Sequence, residues 1–323
     1  MSSMMASTQP AAPRPVQTVL GPVPYETLGL TDAHNHMWIS PVPGADPSGP
    51  VLDQFDAILR ELGEYREAGG KSLLDCQPGG FGRDGNKLLA LSSASGVSLI
   101  ACTGFHRRKY CPSLPSLWDA DAQQVADLLF SELQEGLQET LDRTPRVRAG
   151  FIKIALEAAW EDCPGEALEG AAAAAAQTQT LVEVHTEKGA LAERACAYFT
   201  DLGASAKQLL FCHMDKRPDA GLHKALADTG VMLEYDTFYR PKYDPEANLW
   251  PLLEEMAGAG YADRIALATD MAEAELYHFI GGGPGLSSLP AEIRGQLGKR
   301  GFTDLQQQQL LGGNIARRLA GLD

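Results

Sequence analysis

A chain of 323 residues with 42 acidic against 27 basic side chains carries a formal charge of −15, a mean field that repels nucleic-acid backbones and anionic membrane surfaces. No apolar run approaches the roughly 18 residues that span a bilayer, so nucleic-acid and membrane partners are excluded and a small-molecule substrate is expected. Cys76, Cys102, Cys111, Cys163, Cys196 and Cys212 form no Cys-X-X-Cys pair and three of them lie in apolar, strand-like runs, a usage that suits reduced thiols in a cytoplasmic protein.

Residues 1–17, rich in Met, Ser, Ala and Pro and without the apolar stretch of a signal peptide, read as a disordered tail ahead of one domain over 18–323. The first strand runs through Gly29–Ile39, where His34 and His36 fall at i and i+2 and so share a face. A Pro- and Gly-rich loop over Ser40–Pro50 leads into a helix over Asp53–Ala68, whose Phe55, Ile58, Leu59, Leu62 and Tyr65 form one stripe. Further strands are predicted at Lys71–Cys76, Ser98–Phe105, Gly150–Glu157, Thr180–Thr186, Gln208–Met214, Val231–Thr237 and Arg264–Asp270. Between them fall helices at Gly85–Ser95, Ala120–Leu141, Gly165–Gln177, Gly189–Leu202, Asp219–Thr229 and Leu249–Ala259. The run Ala171–Ala176 reads as small side chains on a tightly packed helix, and Thr303 with Gln306 has the capping-box spacing that opens a last outer helix through Arg318. Eight strands alternating with helices predict a single-domain α/β protein, a TIM (β/α)8 barrel, with a doubly wound open sheet as the alternative.

In such a barrel the reacting groups sit at the carboxyl ends of the strands. Those ends carry His34 and His36 on the first strand, Lys153 on the fourth, His185 on the fifth, His213 on the sixth and Asp270 on the eighth. Taken singly, each imidazole is as readily a hydrogen-bonded core residue as a ligand, and Asp270 as readily a helix cap. Lys153 differs, because Phe-Ile-Lys-Ile-Ala sets an ammonium inside an apolar strand, where an unpaired charge is costly. It needs a partner or a modification.

The same stretches resemble the phosphotriesterase-like family of the amidohydrolase superfamily over nearly the whole barrel. The resemblance rests on Thr31–His36, Gly69–Asp75, Gly82–Asp84, Ala101–Phe105, Gly150–Ile154, Val184–Gly189, Cys212–Asp215 and Ala268–Ala272, in the right order. It implies a metal-dependent hydrolase with two divalent ions, zinc or else cobalt or manganese, bridged by a hydroxide and by a carboxylated lysine, here Lys153 as N6-carboxylysine. By similarity His34, His36 and Asp270 bind the more buried ion, His185 and His213 the more exposed one, and Lys153 spans both. Asp270 would take the proton as the nucleophile attacks. Asp215, two residues beyond His213, is a candidate for orienting ligands or relaying that proton, the alternative being a solvated loop carboxylate. Two departures stand out. Family members acting on lactones often place a tyrosine after the third strand where this chain has His106, and the family's C-terminal Asn-Pro-Ala-Arg is here Asn314-Ile315-Ala316-Arg317.

Arg107, Arg108 and Lys109 after the third strand and Arg240 and Lys242 after the seventh make basic loops on an acidic chain. An ion-paired surface is their ordinary reading. The sharper one is that Arg107, Arg108 and Arg240, beside His106, select an anionic substrate such as a sugar-acid or phosphorylated lactone. The loop Ala272–Leu289, with Tyr277, His278 and Phe279 beside Gly281–Gly285, is a candidate lid with Tyr277 as a candidate substrate contact, the alternative being a mobile surface loop of no consequence. A hydrolase of lactones or other carboxyl esters leads, with phosphotriester or amide hydrolysis as variants, then a mononuclear deaminase, then a binding barrel without turnover. A homodimer, the common symmetric assembly, is left open.

Overall fold

The computed structural model describes residues 12–111 and 116–322. A short hairpin, β1 (Val16–Thr18) and β2 (Gly21–Val23), precedes the barrel. Val16 is buried in that hairpin, so the expected tail ends sooner than residue 17, and residues 1–11 lie outside the described residues.

Eight parallel strands follow: β3 (Thr31–Asn35), β4 (Ser72–Asp75), β5 (Ser98–Gly104), β6 (Phe151–Ala155), β7 (Val182–His185), β8 (Leu209–Phe211), β9 (Met232–Tyr235) and β10 (Ile265–Leu267). They are hydrogen-bonded in chain order, and each is covered by helix, as expected of strands buried on both faces. The principal helices are α1 (Phe55–Glu67), α2 (Gly85–Ser95), α3 (Ala122–Gln134), α4 (Gly165–Thr178), α5 (Ala192–Asp201), α6 (Ala220–Asp228) and α7 (Leu249–Gly258). The chain is a single-domain (β/α)8 barrel.

Alternation along the strands divides the core into two layers. Leu73, Leu99, Ile152, Val184, Leu209, Leu233 and Leu267 pack outward against the helices. Leu74, Ile100, Phe151, Leu210, Met232 and Ala266 fill the barrel floor. The seam between β10 and β3 is joined by the Asp270 N–H donating to the His34 carbonyl at 3.0 Å. The Asp32 carboxylate stitches the same seam, accepting from the Thr269 N–H at 3.2 Å and the Thr269 hydroxyl at 2.6 Å. A β-carbon on Gly170 of α4 would meet the Ala122 carbonyl at 2.5 Å, and this close approach of α3 and α4 accounts for the alanine run.

The last helix is broken, against expectation. α8 (Asp304–Gln308) and α9 (Asn314–Leu319) flank non-helical Leu311 and Gly312. Gly312 has φ +131° and passes so near β3 that a β-carbon would meet the Thr31 nitrogen at 2.5 Å. The kink turns α9 under the barrel, where Ile315 and Leu319 join the floor and the Asn314 amide donates to the Ala262 and Ile265 carbonyls, each at 2.7 Å. Asn314 therefore closes the end of the barrel opposite the candidate site instead of lying on an outer helix.

Candidate metal centre

The carboxyl ends of the strands open into a cavity of about 580 Å³ lined by His34, His36, His106, His185, His213 and Asp270. At the end of β3 a bulge opposes Asp32–Asn35 to Leu73–Asp75. His34 Nε2 lies 3.6 Å and His36 Nε2 3.7 Å from Asp270 Oδ1, so one carboxylate oxygen is shared by two imidazoles. Opposite them, His213 Nε2 and His185 Nδ1 face each other at 2.9 Å.

The other nitrogens of three rings are anchored by the protein. His34 Nδ1 is 2.8 Å from Glu234 Oε1, His36 Nδ1 is 2.9 Å from Gln77 Oε1, and His213 Nδ1 is 2.5 Å from Asp236 Oδ2. The Gln77 amide donates to the Phe81 carbonyl, which turns its oxygen toward His36. His185 Nε2 is 3.0 Å from Glu187 Oε1. Anchoring one ring nitrogen and aiming the other inward is how proteins prepare histidines for a divalent ion. His34, His36 and Asp270 bring their donor atoms within 4.8 Å of one another, a donor set of imidazole and carboxylate that fits zinc, cobalt or manganese.

Two of these residues hold unusual backbone conformations, His213 at φ +63° and Asp270 at φ +44°. Left-handed conformations cost non-glycine residues energy and cluster at functional sites. Burial drives His34 well below the ordinary imidazole range and takes His185 down to about 3. Both rings are therefore neutral donors at physiological pH. Burial works to raise Asp270, but His34, His36 and His213 together hold it well below the usual carboxylate range.

Lys153 is fully buried beneath the cavity, not in its wall. Its ammonium donates to Glu183 and lies 3.1 Å from Cys212 Sγ. The partner that the sequence demanded is thus Glu183, directly across the β6–β7 ladder.

The remaining sequence candidates divide. His106 lines the cavity with its ring centroid 5.2 Å from that of His185. Arg107 and Arg240 also line it but are committed: Arg107 to Glu157 and Glu187 at 2.6 Å each, Arg240 to Glu273 at 2.6 Å and to the Asp270 carbonyl at 2.5 Å. Arg108 is exposed, pairs with Asp119 at 3.4 Å and is outside the cavity. Asp215 is buried and turned away, accepting from Thr237 N at 2.8 Å and the Thr237 hydroxyl at 2.5 Å; it braces the end of β9 that carries Asp236. Tyr277 is wholly buried, its hydroxyl donating to the His36 carbonyl, so it supports the site from behind and is not part of the cavity lining.

Of the Ala272–Leu289 loop, Ala272 and Glu273 line the cavity, and the stretch beyond Tyr277 is fastened to α1. Glu61 of α1 accepts from Phe279 N at 2.6 Å and Leu286 N at 3.2 Å, and His278 pairs with Glu64 at 3.0 Å, which hold the loop against α1. The roof is formed instead by the loop after β3, whose Ser40, Val42, Asp46 and Val51 line the cavity. Gln77, Glu187, Lys216, Glu234 and Asp236 are functional candidates that sequence reasoning passed over. Glu234 and Asp236 had a signal, since they fall at i and i+2 on one strand, as Glu183 does relative to His185.

The profile of the Phosphotriesterase family matches residues 14–319. The chain belongs to this family. A Phospho-furanose lactonase from Mycoplasmopsis synoviae is 30% identical over 267 residues, covering 79% of this chain and 75% of its own length. The crystal structure of an amidohydrolase from Mycoplasma synoviae superposes with a TM-score of 0.87 at 27% identity, covering 97% of this chain and 93% of that one. A lactonase from Listeria monocytogenes shares the fold, with a TM-score of 0.86 at 20% identity over 96% of this chain and all of that one (100%). With this family and these buried ligand groups, the chain is a metal-dependent hydrolase.

Proposed function

We propose that this phosphotriesterase-family hydrolase opens an anionic lactone, a phosphorylated sugar lactone above all, at a binuclear centre. The observation that carries the reading is the convergence of ring nitrogens on Asp270 and on each other, with their opposite nitrogens anchored. His34, His36 and Asp270 would hold one divalent ion, zinc first and cobalt or manganese otherwise, and His185 and His213 the second. Lys153, as its carbamate, would contribute to both, after leaving Glu183. When bound, such a pair lowers the pKa of water and draws charge from an acyl oxygen.

The chain's own residues do the rest. Asp270, deprotonated at neutral pH, accepts the proton of the attacking water. Arg240, on Glu273 and the Asp270 carbonyl, holds that residue in its left-handed conformation. Lys109, Lys216 and Lys242 line the mouth and provide the cationic end that an anionic substituent requires. Lys109 and Lys242 have no carboxylate within ion-pair distance among the described residues, whereas Lys216 sits 3.9 Å from Asp236. The name of the Mycoplasmopsis relative supports a phosphorylated furanose lactone as the first substrate to try.

Hydrolysis of a five-membered sugar-lactone phosphate, its dephosphorylated counterpart, a phosphotriester and an N-acyl amide tests this reading. Preference for the phosphorylated lactone by about tenfold or more in kcat/KM, the effect of one charge-assisted contact, is expected. Preference for the triester or the amide would overturn the substrate assignment. The Lys153–Glu183 pair favours one second reading, a mononuclear centre on His34, His36 and Asp270.

A further inference from the structure

Beyond β3 the chain leaves the barrel at Ile39 and rejoins it at Leu52, where each of the two N–H groups donates to the other's carbonyl at 2.9 Å and both side chains are buried. Between them Ser40–Val51 is an Ω-shaped loop folded on its own turns: Ala45 N donates to the Val42 carbonyl at 3.2 Å, Gly49 N to the Asp46 carbonyl at 2.9 Å, and the Ser48 N–H and hydroxyl to Asp46 Oδ1. Ser40 N fastens the root to the Gly82 carbonyl at 2.8 Å. Beyond that root, among the described residues, one hydrogen bond ties the loop to the body, Asp46 N on the Lys109 carbonyl at 3.2 Å, and a β-carbon on Gly49 would meet the Tyr110 ring at 3.5 Å. The loop lines the cavity with Pro41, Val42, Pro47, Pro50 and Val51, and Val51 remains 42% exposed. Resting on the anionic-substrate reading given above and deepening it, we propose that Ser40–Val51 is a specificity-determining lid that rocks about the Ile39–Leu52 bridge and latches on Lys109 and Tyr110, so that an anion held by Lys109 closes the roof.

A ligand shifts a two-state element only as far as it binds one state better than the other. Here the group that meets the anion and the group that holds the lid belong to one residue. The Lys109 side chain lines the cavity, its carbonyl accepts the latch bond, and its ammonium lies 4.5 Å from the centroid of the Tyr110 ring against which Gly49 rests. Pairing Lys109 with a substrate anion therefore orders the backbone on which the loop closes. A neutral substrate lacks that contact and leaves the latch at the strength of one backbone hydrogen bond, roughly 2- to 10-fold in population. Pro41, Pro43, Pro47 and Pro50 fix φ at intervals, so the loop moves as a unit, and its apolar face excludes water once it is down. Lys216 and Lys242 gather instead around the Tyr243 ring, 5.5 and 5.1 Å from its centroid, on the loops after β8 and β9. They add to the charge of the mouth without touching the latch.

The test follows the amides of Ser40–Val51, Lys109 and Tyr110 by nitrogen-15 relaxation dispersion in zinc-loaded protein, without and with inorganic phosphate as the anion. Without phosphate the loop and the two latch residues should exchange at one common rate. Phosphate should quench that exchange in wild type and in K242A, but not in K109A. D46P removes the latch donor whereas D46A keeps it, so the excess of D46P over D46A isolates the hydrogen bond, and matching unfolding midpoints show that both variants are folded. D46P should populate the open state about 2- to 10-fold more than D46A and lose up to that factor in kcat/KM on a phosphorylated lactone. No exchange in the loop, exchange at a rate not shared by Lys109 and Tyr110, quenching that survives in K109A, or D46P equal to D46A would overturn the proposal. A common rate quenched only through Lys109, combined with faster hydrolysis of the neutral lactone, would uphold the lid and defeat the substrate reading instead.

Discussion

Replacing Lys109 and Lys242 together by alanine separates a selector of substrate charge from the machinery that breaks the bond. Both lysines line the cavity mouth and face water. Two unit charges about 4 Å apart interact by about 1 kcal/mol in bulk water and about 4 kcal/mol at the effective dielectric of a protein surface. Side-chain ordering and competing hydration reduce exposed pairs to roughly 1 kcal/mol or less each. The two lysines together then contribute about 1–2 kcal/mol toward an anionic lactone, or about 5- to 30-fold in kcat/KM. Steady-state hydrolysis of a phosphorylated lactone and its neutral counterpart should show that loss for the phosphorylated substrate alone, mainly as raised KM. The gap between enzymes should narrow from 0.1 to 1 M salt, as the screening length falls from about 10 to about 3 Å. Arg240→Ala is the contrast: its guanidinium is spent on Glu273 and Asp270, so it should lower kcat on both substrates alike. Equal losses on both lactones in the double lysine variant, or none on the charged one, would refute the reasoning.

Two further predictions concern the frame. Asp215 is pushed up to about 7, first by burial and then by the neighbouring Asp236 carboxylate, against hydrogen bonds from Thr237. The folded chain keeps a proton that the unfolded chain releases near pH 4, so this stabilisation is full below about pH 4 and is lost as pH rises through about 7. At about 1.4 kcal/mol per pKa unit it amounts to about 4 kcal/mol. Metal-free D215N should match wild type near pH 4 and exceed it at pH 8 in urea unfolding, and parallel pH curves would remove the explanation. Arg83 is buried between Glu132 and Glu139, donating to both carboxylates and to the Cys102 carbonyl at 2.7 Å. Arg83→Met strands buried carboxylate charge and should cost about 3–5 kcal/mol. Arg83→Met combined with Glu132→Met and Glu139→Gln should recover most of that loss, whereas failure to recover any would show that the network does not set the cost.

The strands and five of the six ligand candidates, His34, His36, His185, His213 and Asp270, were legible because both depend on local order, whereas Lys153 lies beneath the cavity. Period-two alternation assigns a face, and a residue at the carboxyl end of a barrel strand reaches the mouth whatever the loops do. By the same rule Glu183, Glu234 and Asp236 were within reach of the sequence. The roles of Arg107, Arg240 and Tyr277 were not, since they depend on where loops from different strands run. Arg107 finds Glu157 and Glu187, and Tyr277 reaches back to β3, across 241 residues of chain. The break at Gly312 is equally non-local, since its cause is the approach of β3, which lies far away in sequence.

Metal content per chain, measured by elemental analysis of gently purified protein together with carbon-13 spectra of bicarbonate-labelled material, tests the binuclear centre most directly. About two divalent ions per chain with a carbamate on Lys153 is the predicted result. One ion or none, with Lys153 still an amine under bicarbonate, would contradict it and leave Lys153 as the ion-pair partner of Glu183.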